Sequence, residues 1–141
     1  MKAFSFRLDQ ALRWRETQVR ARKSHVAAAA GHVGAIQSLL DSTRAEAASG
    51  AEQIVREPTG IALASYAGFI DKSRSRIRGL ETNRAAAQRA LALEMDRLAD
   101  ANRKLRLLEN LKRTKQSLWH KEFDSELGAF ADETFLYRRR P

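Results

Sequence analysis

An apolar residue returns at every seventh position through most of this chain, and that period limits the possible folds more than any other feature. Leu12, Val19, Val26, Val33, Leu40, Ala47 and Ile54 form one such row. Ile70, Ile77, Arg84, Leu91, Leu98 and Leu105 form another, interrupted by the arginine. Companion rows accompany both: Leu8, Arg15, Arg22, Ala29, Ile36, Thr43 and Gly50 beside the first, and Leu80, Ala87, Ala101 and Leu108 beside the second. An apolar period of about 3.5 residues keeps one narrow stripe facing a partner helix over many turns, which is the pattern of a coiled coil. An amphipathic helix in an ordinary bundle is the alternative. Runs of alternating β-branched and polar residues, the mark of strands, are missing from the sequence.

The chain has 141 residues, with Gly 7, Pro 2 and 30% charged residues, a composition suited to long helices in a single domain spanning 1–141. One break stands out, Glu57-Pro58-Thr59-Gly60. Proline cannot continue a helix and pushes its predecessor out of the α region, while glycine permits a turn. The spacing predicts helix one over about 5–56, a turn at 57–60 and helix two over about 61–136. Two such helices leave no third element to complete a bundle. The expected fold is therefore all-α, a long antiparallel two-helix coiled-coil hairpin. Pivoting at Pro58 and Thr59 sets Leu40 opposite Ile77, Val26 opposite Leu91 and Leu12 opposite Leu105, while Val33 meets Arg84. An arginine is tolerated there if its stem packs and its head reaches out. The paired arms would span roughly 75 Å.

Helix two is the longer arm, and about thirty residues from Asn110 onward overhang. There the apolar stripe shifts to Leu111 and Leu118, then Trp119, Phe123, Leu127 and Phe130. In the hairpin this face has no partner within the chain, which marks it as a binding surface. Folding back or self-association is the alternative.

Catalysis has little to stand on. There is no cysteine, no phosphate-binding glycine loop and no metalloprotease or nucleophile-elbow motif. His25 and His32 share a face but lie about 10 Å apart along a helix, too far for one metal ion. The expectation is no enzyme, no cofactor, no metal and no small-molecule substrate. No stretch reads as membrane-spanning or as a secretory signal, so a cytosolic protein is expected.

Charge is more informative. Lys+Arg 26 against Asp+Glu 17 gives a net charge of +9, which favours acidic partners. Residues 1–23 carry seven positive and two negative side chains, and residues 103–121 carry seven and one. The hairpin would bring these stretches close. Glu122, Asp124, Glu126, Asp132 and Glu133 follow as an acidic band, and Arg138 to Arg140 close the chain. Lys72, Arg74, Arg76, Arg78, Arg84 and Arg89 form another basic zone. Such runs are often solvated faces. A nucleic-acid-associated coiled coil is a competing reading, but the basic residues lack the interleaved aromatics of a stacking platform.

Three stretches together resemble the FliJ family of bacterial flagellar export proteins. Phe4-Ser5-Phe6-Arg7-Leu8-Asp9-Gln10-Ala11-Leu12 is similar to that family's aromatic-rich opening. Ser65-Tyr66-Ala67-Gly68-Phe69-Ile70 resembles the motif that opens its second helix, although Ser73 stands where the family often has an apolar residue. Leu108-Glu109-Asn110-Leu111-Lys112-Arg113, followed by Asp132-Glu133 and a basic tail, resembles its C-terminal signature.

The resemblance implies a non-enzymatic antiparallel coiled coil. It would act as a stalk in the hexameric flagellar export ATPase, contact the large membrane export-gate protein and handle unladen export chaperones. It would work in the cytoplasm, peripherally at the inner face of the cell membrane. The gate contact would fall on Tyr66 and Phe69. The unpaired apolar face and its basic flank suggest an ATPase-ring contact through Lys112, Lys115, Trp119, Phe123 and Leu127. The equivalent stalk of a virulence secretion system has the same expected shape.

Overall fold

A computed structural model describes residues 2–139. It is all-helical among these residues, with α1 spanning Asp9–Arg56 and α2 spanning Gly60–Arg139. The two long helices pack against each other. The chain divides into two compact units, Met1–Arg20 with Ala99–Pro141, and Ala21–Leu98.

In the unit of residues 21–98, Ile36, Leu40 and Ala87 form a buried core, with Val33, Ile77 and Leu80 packed against it. Leu40 is fully buried at 0% exposure, and its neighbour Leu39 stays 47% exposed. This contrast follows from the helical period, which turns successive side chains by about 100°. Thr43 and Ser73 are also buried on the seam. The Thr43 hydroxyl donates to the Leu39 carbonyl at 2.7 Å, so burial leaves it no unmet donor.

Polar contacts link the flanks of the two helices. Arg44 donates to Glu81 at 2.9 Å. Arg84, half-buried on the seam, turns its guanidinium to the Gln37 side chain at 3.0 Å. The expected outward-reaching head thus finds an amide on α1. Glu94 occupies a companion-row position between Ala87 and Ala101 that the apolar pattern passes over. Arg97 donates to its Oε1 at 2.9 Å, and Arg22 lies 3.8 Å from its Oε2. That Oε2 is buried and accepts no hydrogen bond.

The turn is shorter than expected. Thr59, not Gly60, begins the new helix: its Oγ1 accepts from the Ala62 N–H at 3.2 Å, an N-cap, and its carbonyl accepts from Leu63. Gly60 is already the first residue of α2. Among the described residues no glycine has positive φ, so its special backbone freedom is not used here.

In the other unit, Leu12, Val19 and Ala101 are buried and Leu105 and Leu108 half-buried. Helix α1 begins at Asp9 rather than near residue 5. Residues 2–6 are non-helical, and 7–8 turn into the helix, with the Asp9 N–H donating to the Phe6 carbonyl at 3.0 Å. An aspartate in the first turn suits the helix N-terminus, where unpaired N–H groups favour negative charge. The opening residues make contacts on α2 instead of extending α1. Helix α2 runs to Arg139, three residues beyond the expected end, and Arg140 lies outside the described residues.

Candidate partner-binding surfaces

The first surface lies in the unit of residues 2–20 and 99–139. The heptad row through Leu98 and Leu105 continues to Lys112 and then Trp119. Lys112 replaces an apolar side chain on this row and donates to Asp9 Oδ1 at 3.1 Å, both groups being part-exposed. Exposed pairs of this kind contribute about 0.2–1 kcal/mol, so this one orients α1's first turn more than it stabilises it.

Trp119 is half-buried. Its indole N–H donates to the Lys2 carbonyl at 3.2 Å, and its ring lies 6.1 Å from that of Phe4. Phe123 stacks on Trp119 at 5.2 Å with 11° between planes, and His120 meets its edge at 5.0 Å. Between the N-terminal segment and α2 runs an open groove of about 850 Å³, walled by Phe4, Phe6, Leu8, Leu111, Leu118 and Trp119, with Lys2, Arg7, Lys115 and Glu122 supplying charge. The expected bare apolar face is therefore corrected at its near end. The N-terminal segment covers part of it because Phe4 gains more by packing on the Trp119 indole, and Phe6 by lining the groove, than either does by remaining in water.

Of the five residues expected to form this surface, Lys115 and Trp119 line the groove, and Phe123 joins through Trp119. Lys112 is turned to Asp9, and Leu127 lies beyond the groove walls at 52% exposure. Lys2 and Phe4 were not among the expected site residues, although the aromatics at 4 and 6 ahead of a helix start were a visible signal. Elsewhere in this unit, away from the groove, the exposed carboxyl of Asp100 is held below its ordinary value, first by the hydrogen bond from Lys104 at 3.0 Å and that ammonium's charge, then by Arg103 and Arg15.

The second surface lies in the unit of residues 21–98, where α2 begins. Tyr66 and Phe69 are one turn apart, with ring centroids 6.5 Å apart. Tyr66 is half-buried on the companion row that leads to buried Ser73, and Phe69 is 38% exposed. Ser73, where the FliJ family often has an apolar residue, is 8% exposed. Phe69 leans over Gly50 of α1 so closely that a Cβ there would stand 2.6 Å from its Cε1. A groove of about 570 Å³ runs past Gly50, Ile54, Ala62, Tyr66 and Phe69, with Arg56 and Glu57 at its rim. Gly50 was legible as the glycine on an otherwise filled row, but its partner was not.

Among the described residues no group of three or more His, Asp or Glu side chains could hold a metal ion, and His25 and His32 are both exposed. Among the same residues no helix is long and apolar enough to cross a membrane. No family model, curated protein or solved structure matches the chain.

Proposed function

We propose that this protein is a non-enzymatic stalk and adaptor of flagellar type III protein export, built as an antiparallel two-helix coiled-coil hairpin with an overhanging C-terminal helix. Contact order supports the antiparallel arrangement. From Glu81 through Arg84 to Glu94 on α2, the α1 partners fall from Arg44 through Gln37 to Arg22. On this reading the protein couples the hexameric export ATPase to the membrane export-gate protein, escorts export chaperones, and acts in the cytoplasm at the inner face of the cell membrane. It uses no cofactor.

The observation that carries the reading is the Tyr66–Phe69 pair. It belongs to the stretch that resembles the FliJ second-helix motif, and Phe69 keeps over a third of its surface exposed beside a groove. A large aromatic presented in this way is a good anchor for a partner. The gate contact is assigned to Tyr66 and Phe69, and the ATPase-ring contact to Lys112, Lys115, Trp119, Phe123 and Leu127. Basic charge around the second set suits an acidic ring surface.

The test uses the full chain against the purified export ATPase and against the cytoplasmic part of the gate protein. Phe69→Ala is expected to weaken gate binding at unchanged helicity and unchanged ATPase binding. Phe123→Ala with Leu127→Ala is expected to do the reverse. Absence of binding to either protein would overturn the proposal.

A further inference from the structure

The distal end of α2 carries a second heptad seam of its own. Phe123, Leu127, Phe130, Thr134 and Tyr137 follow alternating steps of four and three residues, the spacing of a coiled-coil stripe. Apart from Phe123, nothing in this stretch is sheltered, since every residue from Asp124 to Arg139 is exposed. Leu127 is 52%, Phe130 69% and Tyr137 81% exposed. Thr134, the polar member, donates its hydroxyl to the Phe130 carbonyl at 2.7 Å, which leaves its methyl for the stripe.

The charges on one flank point to a second copy as the partner, although on the other flank Glu133 meets Glu133 of that copy near the axis. Asp124 and Arg138 are fourteen residues apart, two heptads, and so stand on the same flank of the stripe. Neither makes an ion pair among the described residues. In an antiparallel pair of identical helices the same flanks face each other. Asp124 of one copy then meets Arg138 of the other, and the two-fold axis repeats the contact. The axis passes near Ala131, a small residue that allows close approach. In this register Leu127 meets Tyr137 of the second copy, and Phe130 meets Thr134.

We propose that the protein self-associates through residues 123–138 as an antiparallel, two-fold dimer, with this apolar stripe as its seam and the Asp124–Arg138 contacts setting its register. The seam is about 21 Å long, so the dimer is weak and forms in a concentration-dependent way. The inference does not rest on the export assignment, and its test needs no other protein; because both use Phe123 and Leu127, the dimer and the proposed ATPase-ring contact exclude each other on this face.

Sedimentation velocity on the full chain, over a wide concentration range and at low and high salt, reads the association directly. The expected result is a monomer–dimer equilibrium that weakens as salt rises. Asp124→Arg and Arg138→Asp are each expected to weaken it roughly tenfold, since each reverses two symmetry-related attractions. Combining both substitutions in one chain is expected to restore it, because the exchanged charges are again complementary. Phe130→Ser is expected to abolish the dimer at unchanged circular dichroism. A monomer at every concentration overturns the proposal. So does a dimer indifferent to the two charge reversals, or one that the double exchange fails to restore.

Discussion

The ring of Phe69 occupies the space that a side chain on Gly50 would need, with its Cε1 2.6 Å from where a Cβ would stand. The missing side chain on α1 therefore sets how the aromatic on α2 is seated and how much of it faces out.

Gly50→Ala separates seating from stability. Alanine is favoured over glycine inside a helix by about 1 kcal/mol, and the obstructing atom belongs to a side chain that can rotate. We expect thermal stability to hold or rise while the Phe69 ring moves outward, seen as lost nuclear Overhauser contacts between residues 50 and 69. If Phe69 anchors the gate protein, affinity for that partner changes although the fold does not weaken. An unchanged ring position would refute the seating argument.

Leu39 and Leu40 provide an internal control for the seam. Leu40 is fully buried in the Ile36–Ala87 core, and Leu39 is nearly half-exposed. Leu40→Ala should cost about 2–5 kcal/mol in denaturant unfolding, and Leu39→Ala well under half of that. Similar costs would mean that the packed face has been misidentified.

Glu94 stands against its surroundings. One carboxylate oxygen is buried without a hydrogen bond, and the nearby Arg22 and Arg97 remain part-exposed. Replacing a poorly satisfied seam charge by an apolar residue often stabilises, and both arginines can return to water. Glu94→Leu should therefore raise unfolding stability by about 1 kcal/mol. A loss of stability would show that the ion pairs outweigh the desolvation of the carboxylate.

The contact of Trp119 with Lys2 and Phe4 has an optical signature. In a Trp14→Phe background Trp119 is the sole fluorophore of its kind, because the chain has Trp 2. Phe4→Ala should shift its emission to the red and increase quenching by iodide, with helix content nearly unchanged. Emission identical to the parent would mean that the N-terminal segment leaves Trp119 in solution.

The heptad rows by themselves determined which face of each helix is packed. Leu12, Val19, Ile36, Leu40 and Ala87 all come from those rows and all are buried. The period of an α-helix fixes side-chain direction from sequence spacing alone, so this much needs no tertiary information. Pro58 likewise placed the break, because a ring without an N–H cannot continue the interior of a helix and pushes the residue before it out of the α region. Helix starts were less legible. Thr59 took the N-cap from the expected glycine turn, and Phe4 and Phe6 left α1 to pack near Trp119, since both outcomes depend on competition between local contacts.

The pivot at Pro58 and Thr59 set Leu40 opposite Ile77, and Ile77 does pack against the Leu40 core, but the individual side-chain contacts across the seam were decided only in three dimensions. A repeating apolar stripe reads nearly the same after a shift along its partner, so periodicity alone cannot assign neighbours. Only the packed structure brings Arg84 to Gln37, Phe69 over Gly50, Glu94 between two arginines and Trp119 to the Lys2 carbonyl. Each of these contacts joins residues distant in sequence or depends on a neighbour across the seam. Their energies depend on shape and charge at a single crossing, which residue spacing does not encode.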